Sequence, residues 1–203
     1  MPSQVLRTTS RDQLSTAKNV DITITKRMSR DWSLTANYLE TWSMDRTLVQ
    51  NPNQAVNNPQ RYNATSFKVF GTYRAPYGVV VTPVVRYQQG IPISRIVNVP
   101  MRTVSSGQFA YAVDPTGAWR QDNVAIFDTR VEKQFRIAPQ RQVGVFFDAF
   151  NINNSNAAQN QDNVVGRRTV TLTSGEVVNY QRFLRPTTLI GPRIFRIGFK
   201  VTF

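Results

Sequence analysis

Residues 192–203 read PRIFRIGFKVTF, and their spacing decides how the rest of the chain is read. From Phe195 onward the odd positions are Phe195, Ile197, Phe199, Val201 and Phe203, all apolar. The even positions are Arg196, Gly198, Lys200 and Thr202, polar or small. Side chains alternate faces along a strand, so this segment has one greasy face and one wet face. The pattern predicts a half-buried strand that ends the chain on an aromatic residue.

Working back toward the N-terminus, the same two-residue period recurs six more times. Residues 19–26 (NVDITITK) set Val20, Ile22 and Ile24 against Asp21, Thr23 and Thr25. Residues 32–41 put Trp32, Leu34, Ala36 and Tyr38 on one face. Residues 66–74 (SFKVFGTYR) and 79–89 follow, the second with Val79, Val81, Val85 and Tyr87 opposing Thr82, Arg86 and Gln88 and with Val80 and Val84 assigned to neither face. In residues 125–137, Phe127, Val131, Phe135 and Ile137 oppose Asp128, Arg130, Glu132, Gln134 and Arg136. In residues 142–151, Val143, Val145, Phe147 and Ala149 form the apolar row. Residues 1–18 lack a period and read as loop. The expectation is an all-β chain with about seven main strands.

The connections between these strands follow a rule. Short turns near 29–31, 75–78 and 138–140 alternate with long segments at 44–62, 90–121 and 152–191, which are rich in Asn, Gln and Pro or irregular. The last of these contains a predicted hairpin around Thr173-Ser174-Gly175-Glu176. Loops of that length are uncommon inside compact domains. Transmembrane barrels do alternate short periplasmic turns with long extracellular loops, because each strand crosses the bilayer once. The expected fold is therefore a portion of an antiparallel transmembrane β-barrel, an open curved sheet.

Composition agrees with alternating faces. Hydrophobic residues make up 40% of the 203 residues and charged residues only 18%, yet the mean hydropathy is −0.35. No apolar run approaches the ~18 residues of a spanning helix, which excludes a helical membrane protein. Cysteine and histidine are both absent, so disulfides, thiol catalysis and the usual zinc sites are ruled out. The net charge of +13 raises nucleic-acid binding, but the 25 basic residues are spread singly over strands and turns, and no nucleic-acid partner is expected. No nucleophile motif or Gly-rich phosphate loop occurs, so neither an enzyme nor a cofactor is expected.

Two stretches carry a resemblance. Arg196-x-Gly198-x-x-Val201-x-Phe203 resembles the C-terminal assembly signal of outer-membrane β-barrels. Residues 127–154 (FDTRVEKQFRIAPQRQVGVFFDAFNINN) resemble a strand hairpin near the end of TonB-dependent outer-membrane receptors, with Asp128, Arg130, Lys133 and Phe135 on its first strand and Phe150, Asn151 and Asn154 at the following turn. Residues 189–203, residues 87–92 (YQQGIP) and residues 39–43 also look like parts of that family, in its Oar-like branch.

The resemblance implies a receptor for active uptake of a bulky substrate, located in the Gram-negative outer membrane. Its partners would be outer-membrane lipid, the barrel-assembly machinery, further N-terminal barrel strands, a plug domain and, through the plug, TonB. The substrate stays open among iron chelates, oligosaccharides and peptides. Family barrels have about twenty-two strands after a plug, and single-chain bacterial barrels have an even number of strands. Seven strands, no plug and no signal peptide at the N-terminus lead us to expect residues 1–203 to be a C-terminal fragment of such a barrel.

On this reading Asp128, Arg130, Glu132, Arg136, Asp148, Arg196 and Lys200, with Lys68, Arg74 and Arg86, face the lumen. Phe127, Val131, Val143, Val145, Phe147, Phe195, Ile197 and Phe199 face lipid. Trp32, Tyr73 and Phe203 form the periplasmic aromatic girdle. The alternatives are a small self-contained passive barrel or porin, which needs an eighth strand from residues 1–18, and a soluble all-β binding module.

Overall fold

The computed structural model describes residues 15–46, 57, 60–100, 108–139 and 141–202. In chain order the strands are β1 (Thr16–Ser29), β2 (Trp32–Asp45), β3 (Gln60–Ala75) and β4 (Val79–Gln88). Four short strands follow, β5 (Pro92–Ile93), β6 (Ile96–Pro100), β7 (Gln108–Ala112) and β8 (Trp119–Arg120). Next come the long strands β9 (Val124–Ala138) and β10 (Arg141–Phe150). The short strands β11 (Ala158–Gln161), β12 (Arg167–Thr171), β13 (Val177–Gln181) and β14 (Pro186–Leu189) precede the long β15 (Ile194–Thr202).

The seven long strands form one antiparallel sheet in the order β1-β2-β3-β4-β9-β10-β15. They are the seven segments expected from alternation, and every sheet neighbour is the next long strand in sequence. Among the described residues β1 and β15 each pair on one side only, so the sheet is open. Between neighbouring long strands the connections are short after β1 (Arg30–Asp31), after β3 (the 3₁₀ turn Pro76–Gly78) and after β9, where Ala138 pairs with Arg141, and long elsewhere.

Several strand ends differ from the sequence reading. Residues 16–18, expected as loop, belong to β1, and the expected loop 44–62 is narrower because Asp45 pairs with Gln60. Polar composition hid these ends: β2 and β3 prolong their ladder beyond the body of the sheet, where neither face needs apolar residues. Val80 and Val84 fall on the charged face, opposite Glu132 and Asp128. The hairpin near residues 173–176 is present as β12–β13.

The described parts of the excursions after β4 and after β10 are nested ribbons. β5 pairs β8 and encloses the β6–β7 hairpin; β11 pairs β14 and encloses β12–β13. Ile96 joins them, its N–H donating to Asn163 O and its carbonyl accepting from Val165 N–H, both at 2.8 Å.

Among the described residues the sheet has no second layer. Only Pro92, Ile93, Ala149 and Ala158 of the described residues are buried apolar side chains, and three of these lie in the ribbons. The apolar rows of the sheet are open: Phe199 is 78% and Ile197 76% exposed. A folded water-soluble domain buries such a face against another element. Among the described residues nothing covers it.

Candidate functional site

Register assigns each side chain to a face. Val143, Val145, Phe147 and Ala149 of β10 stand opposite Val201, Phe199, Ile197 and Phe195 of β15. On the other side Phe147 meets Val131, and Val131 and Phe127 meet Val81 and Val85. All belong to one sheet face, which continues through Phe67, Tyr73, Trp32, Tyr38, Ile22 and Ile24. Stacked rings at 5.2 Å (Phe67 and Tyr87) and 5.6 Å (Phe147 and Phe195) lie along it. Trp32 and Tyr73 are direct partners beside the Arg30–Asp31 turn. Phe203, the third residue expected in that group and the last of the terminal motif, lies outside the described residues.

The opposite face carries most of the charges, although Lys26, Glu40 and Lys133 stand on the apolar face. Asp128, Arg130, Glu132, Arg136, Asp148, Arg196 and Lys200 share it, together with Lys68, Arg74 and Arg86. Its centre is Asp148, 2% exposed and flanked in register by Arg130 and Arg196. Arg130 donates from Nε to Oδ1 (2.6 Å) and from Nη2 to Oδ2 (3.1 Å). Arg196 donates to Oδ2 from Nε (2.8 Å) and Nη2 (2.6 Å). One carboxylate thus ties three strands together with charge-assisted bonds.

The residues of the quoted motifs have identifiable structural work. Asp128 accepts from Arg86 Nη2 (2.6 Å) and from the Asn151 backbone N–H (2.7 Å), so it links the sheet to the turn after β10. Asn151, 5% exposed at a φ of 51°, donates from its amide to Ser155 O and Gly191 O and accepts from Ser155 N–H. That side chain hooks both ends of the second ribbon to the sheet. Asn154, at a φ of 49°, accepts from Arg193 N–H, and Asn tolerates the left-handed region better than most residues. Lys133 donates to Tyr77 O, securing the 3₁₀ turn, where Tyr77 itself has a φ of 64°.

Gly198 is required by shape. A Cβ there would meet Phe146 Cζ at 2.4 Å, because the Phe146 ring lies across the glycine on the charged face. The same ring receives Arg130 at 4.3 Å and Arg196 at 6.0 Å from its centroid. Arg196, Gly198 and Phe146 therefore act together in seating the terminal strand.

Sequence reasoning missed two polar clusters. Glu40 sits on the apolar face, 8% exposed, and accepts from Asn63 Nδ2 (3.1 Å), Tyr38 OH (3.1 Å) and the Thr65 hydroxyl. Beside it Arg120 of β8 donates to Asn63 Oδ1 (2.7 Å), Asn63 O (3.0 Å) and Gly90 O (3.0 Å), fastening the first ribbon to the free upper edge of β3. In the ribbon itself Arg95 grips Asp114 through Nε (2.6 Å) and Nη2 (2.7 Å), and Trp119 Nε1 donates to Asp114 Oδ2 (3.0 Å). The Arg95 guanidinium beside Asp114 holds its carboxyl down to about 2. Trp119 also meets Phe183 edge-on at 5.2 Å, joining the ribbons again. A lone acidic residue amid loop sequence carries no signal of such a pairing; only the nested register brings Arg95 and Asp114 together.

The chain matches no protein-family model, no curated protein and no solved structure.

Proposed function

We propose that this chain forms a wall segment of an outer-membrane β-barrel of the TonB-dependent receptor type, which actively takes up a bulky substrate in a Gram-negative cell. One observation carries the reading: a single-layer, seven-strand sheet of the described residues exposes a broad, largely apolar face on one side and gathers most of its charges on the other. In a bilayer the apolar row meets lipid and the charged row lines the lumen, an arrangement that removes the cost of an apolar face in water. Short turns alternating with long ribbons support it, as do the structural roles of Asp128, Asn151 and Gly198 in motifs that resemble the family's.

The two open edges are where further strands would complete the barrel, and a plug from the same receptor would contact the charged face and pass on the force from TonB. The assembly machinery would read the terminal strand. The exposed apolar face counts against a soluble module, and the unpaired edges count against a small barrel closed by these strands alone.

The absence of cysteine makes site-directed spin labelling clean. Labels on single cysteines at Val145, Ile197, Glu132 and Lys200 are placed in chain reconstituted in lipid vesicles. Labels at Val145 and Ile197 are expected to be relaxed by oxygen, which concentrates in the bilayer, and those at Glu132 and Lys200 by a water-soluble nickel complex. Identical profiles on the two faces, or a chain that stays out of the vesicles, overturn the proposal.

A further inference from the structure

At the centre of the charged face two cations are matched. Arg130 and Arg196 share Asp148, and Gln134 Nε2 donates to Glu132 at 2.9 Å. The pair Lys68 and Arg86 is different. They are direct cross-strand partners on β3 and β4, so two positive charges stand opposite each other. Like charges in that position destabilise a sheet. Arg86 reaches Asp128 through Nη2, but that carboxylate also holds the Asn151 N–H. Lys68 makes no hydrogen bond or ion pair among the described residues; its ammonium lies 5.3 Å from the Phe70 ring centroid.

These two cations border an open hollow of about 370 Å³. Asn37, Gln88 and Ile126 continue its wall, and Gln159 of β11 reaches it from the second ribbon. No carboxylate lines it among the described residues. The volume falls in the range of small-ligand sites, and the lining combines two cations, several amides and an apolar patch. The geometry points to a binding site for an oxyanion group, a carboxylate or a phosphate borne by a polar ligand, held between the Lys68 ammonium and the free nitrogens of Arg86. Such an anion relieves the like-charge pair that Lys68 and Arg86 form across β3 and β4. As a statement about the transported substrate, this rests on the barrel reading; as a statement about binding, it stands on the hollow alone.

The test titrates citrate and inorganic phosphate into detergent-refolded chain by calorimetry at low salt. Saturable binding of at least one of them is expected, and the tighter of the two names the oxyanion. Lys68→Gln and Arg86→Gln should each weaken it about tenfold or more, the loss of one charge-assisted contact. Removing either charge relieves repulsion between strands, so Lys68→Gln should fold as well as the parent chain, checked by circular dichroism. Lys200→Gln removes one charge from the same face four strands away from β3 and should leave affinity within twofold. No saturable binding of either anion overturns the site, as does equal weakening by Lys200→Gln, which would mean a diffuse field. A chain that binds citrate but shows no lipid-facing row keeps this site and loses the barrel; the opposite pair of results keeps the barrel and loses the site.

Discussion

At the scale of single residues, Asp148 should be the most sensitive position on the charged face. Removing it leaves two guanidiniums facing each other with four charge-assisted bonds lost. Because both arginines keep partial access to water, Asp148→Ala is expected to cost about 2–3 kcal/mol, and Arg196→Gln about 1 kcal/mol since Arg130 retains its grip. Urea unfolding in micelles measures both; equal losses would contradict a carboxylate shared by two partners. Gly198→Val should cost about 1–3 kcal/mol by driving a Cβ into the Phe146 ring, and Phe146→Ala in the same chain should recover part of it. Asp114 supplies a pH signature. Its carboxyl is held down to about 2, below its ordinary range, so the stabilisation from Arg95 is complete above about pH 4. It is lost as pH falls toward 2, when protonation breaks the grip. Fluorescence of Trp119, whose Nε1 bonds Asp114, should report that loss in a chain with Trp32 and Trp42 replaced by Phe, and Asp114→Asn should flatten the profile.

At the scale of elements, the β1–β2 turn carries strain that can be relieved. Arg30 and Asp31 sit at φ of 50° and 66°, the two positive angles of a tight hairpin turn that Asn-Gly fills best. The chain compensates with Lys26, whose ammonium donates to Ser29 O (2.9 Å) and Trp32 O (2.8 Å) and lies 3.7 Å over the Trp32 ring. Arg30→Asn with Asp31→Gly should raise stability by about 1 kcal/mol, read as a shift of the urea midpoint at unchanged slope. The strands themselves were legible because alternation is a local property: Phe195 to Val201 could be read without knowing any neighbour. Faces were legible for the same reason, and the register agrees with each row assigned. Pairing was not. That Asp148 would serve two arginines depends on β10 lying between β9 and β15, and that Lys68 would face Arg86 depends on the β3–β4 register. Glu40 escaped notice because it breaks the apolar row of β2, and the hydroxyl and amides that satisfy it come from β3. The strand ends at Thr16 and Gln60 were hidden by polar composition where the ladder outruns the sheet.

At the scale of the molecule, a sheet bare on its apolar face should sediment from water and remain dispersed in detergent, as analytical ultracentrifugation with and without micelles will show. If the proposed barrel holds, Phe199→Arg on the apolar face should cost about 2–4 kcal/mol while Lys200→Gln costs little, measured by refolding into vesicles. The sheet also has a grain. Seven strands alternating in direction leave β1 and β15, first and seventh in order, pointing the same way. Rolled up alone, the sheet would bring these edges together parallel, against that grain. Two copies fare no better. Joining them antiparallel with apolar faces matched means turning one by half a revolution about the sheet normal, so that β1 meets β1 or β15 meets β15. The turned copy would then carry its ribbons to the end of the sheet that holds the first copy's short turns. The polarity of the sheet therefore chooses its neighbours: only an odd number of alternating strands laid between the two edges keeps every pairing antiparallel and every long ribbon at the same end of the strands.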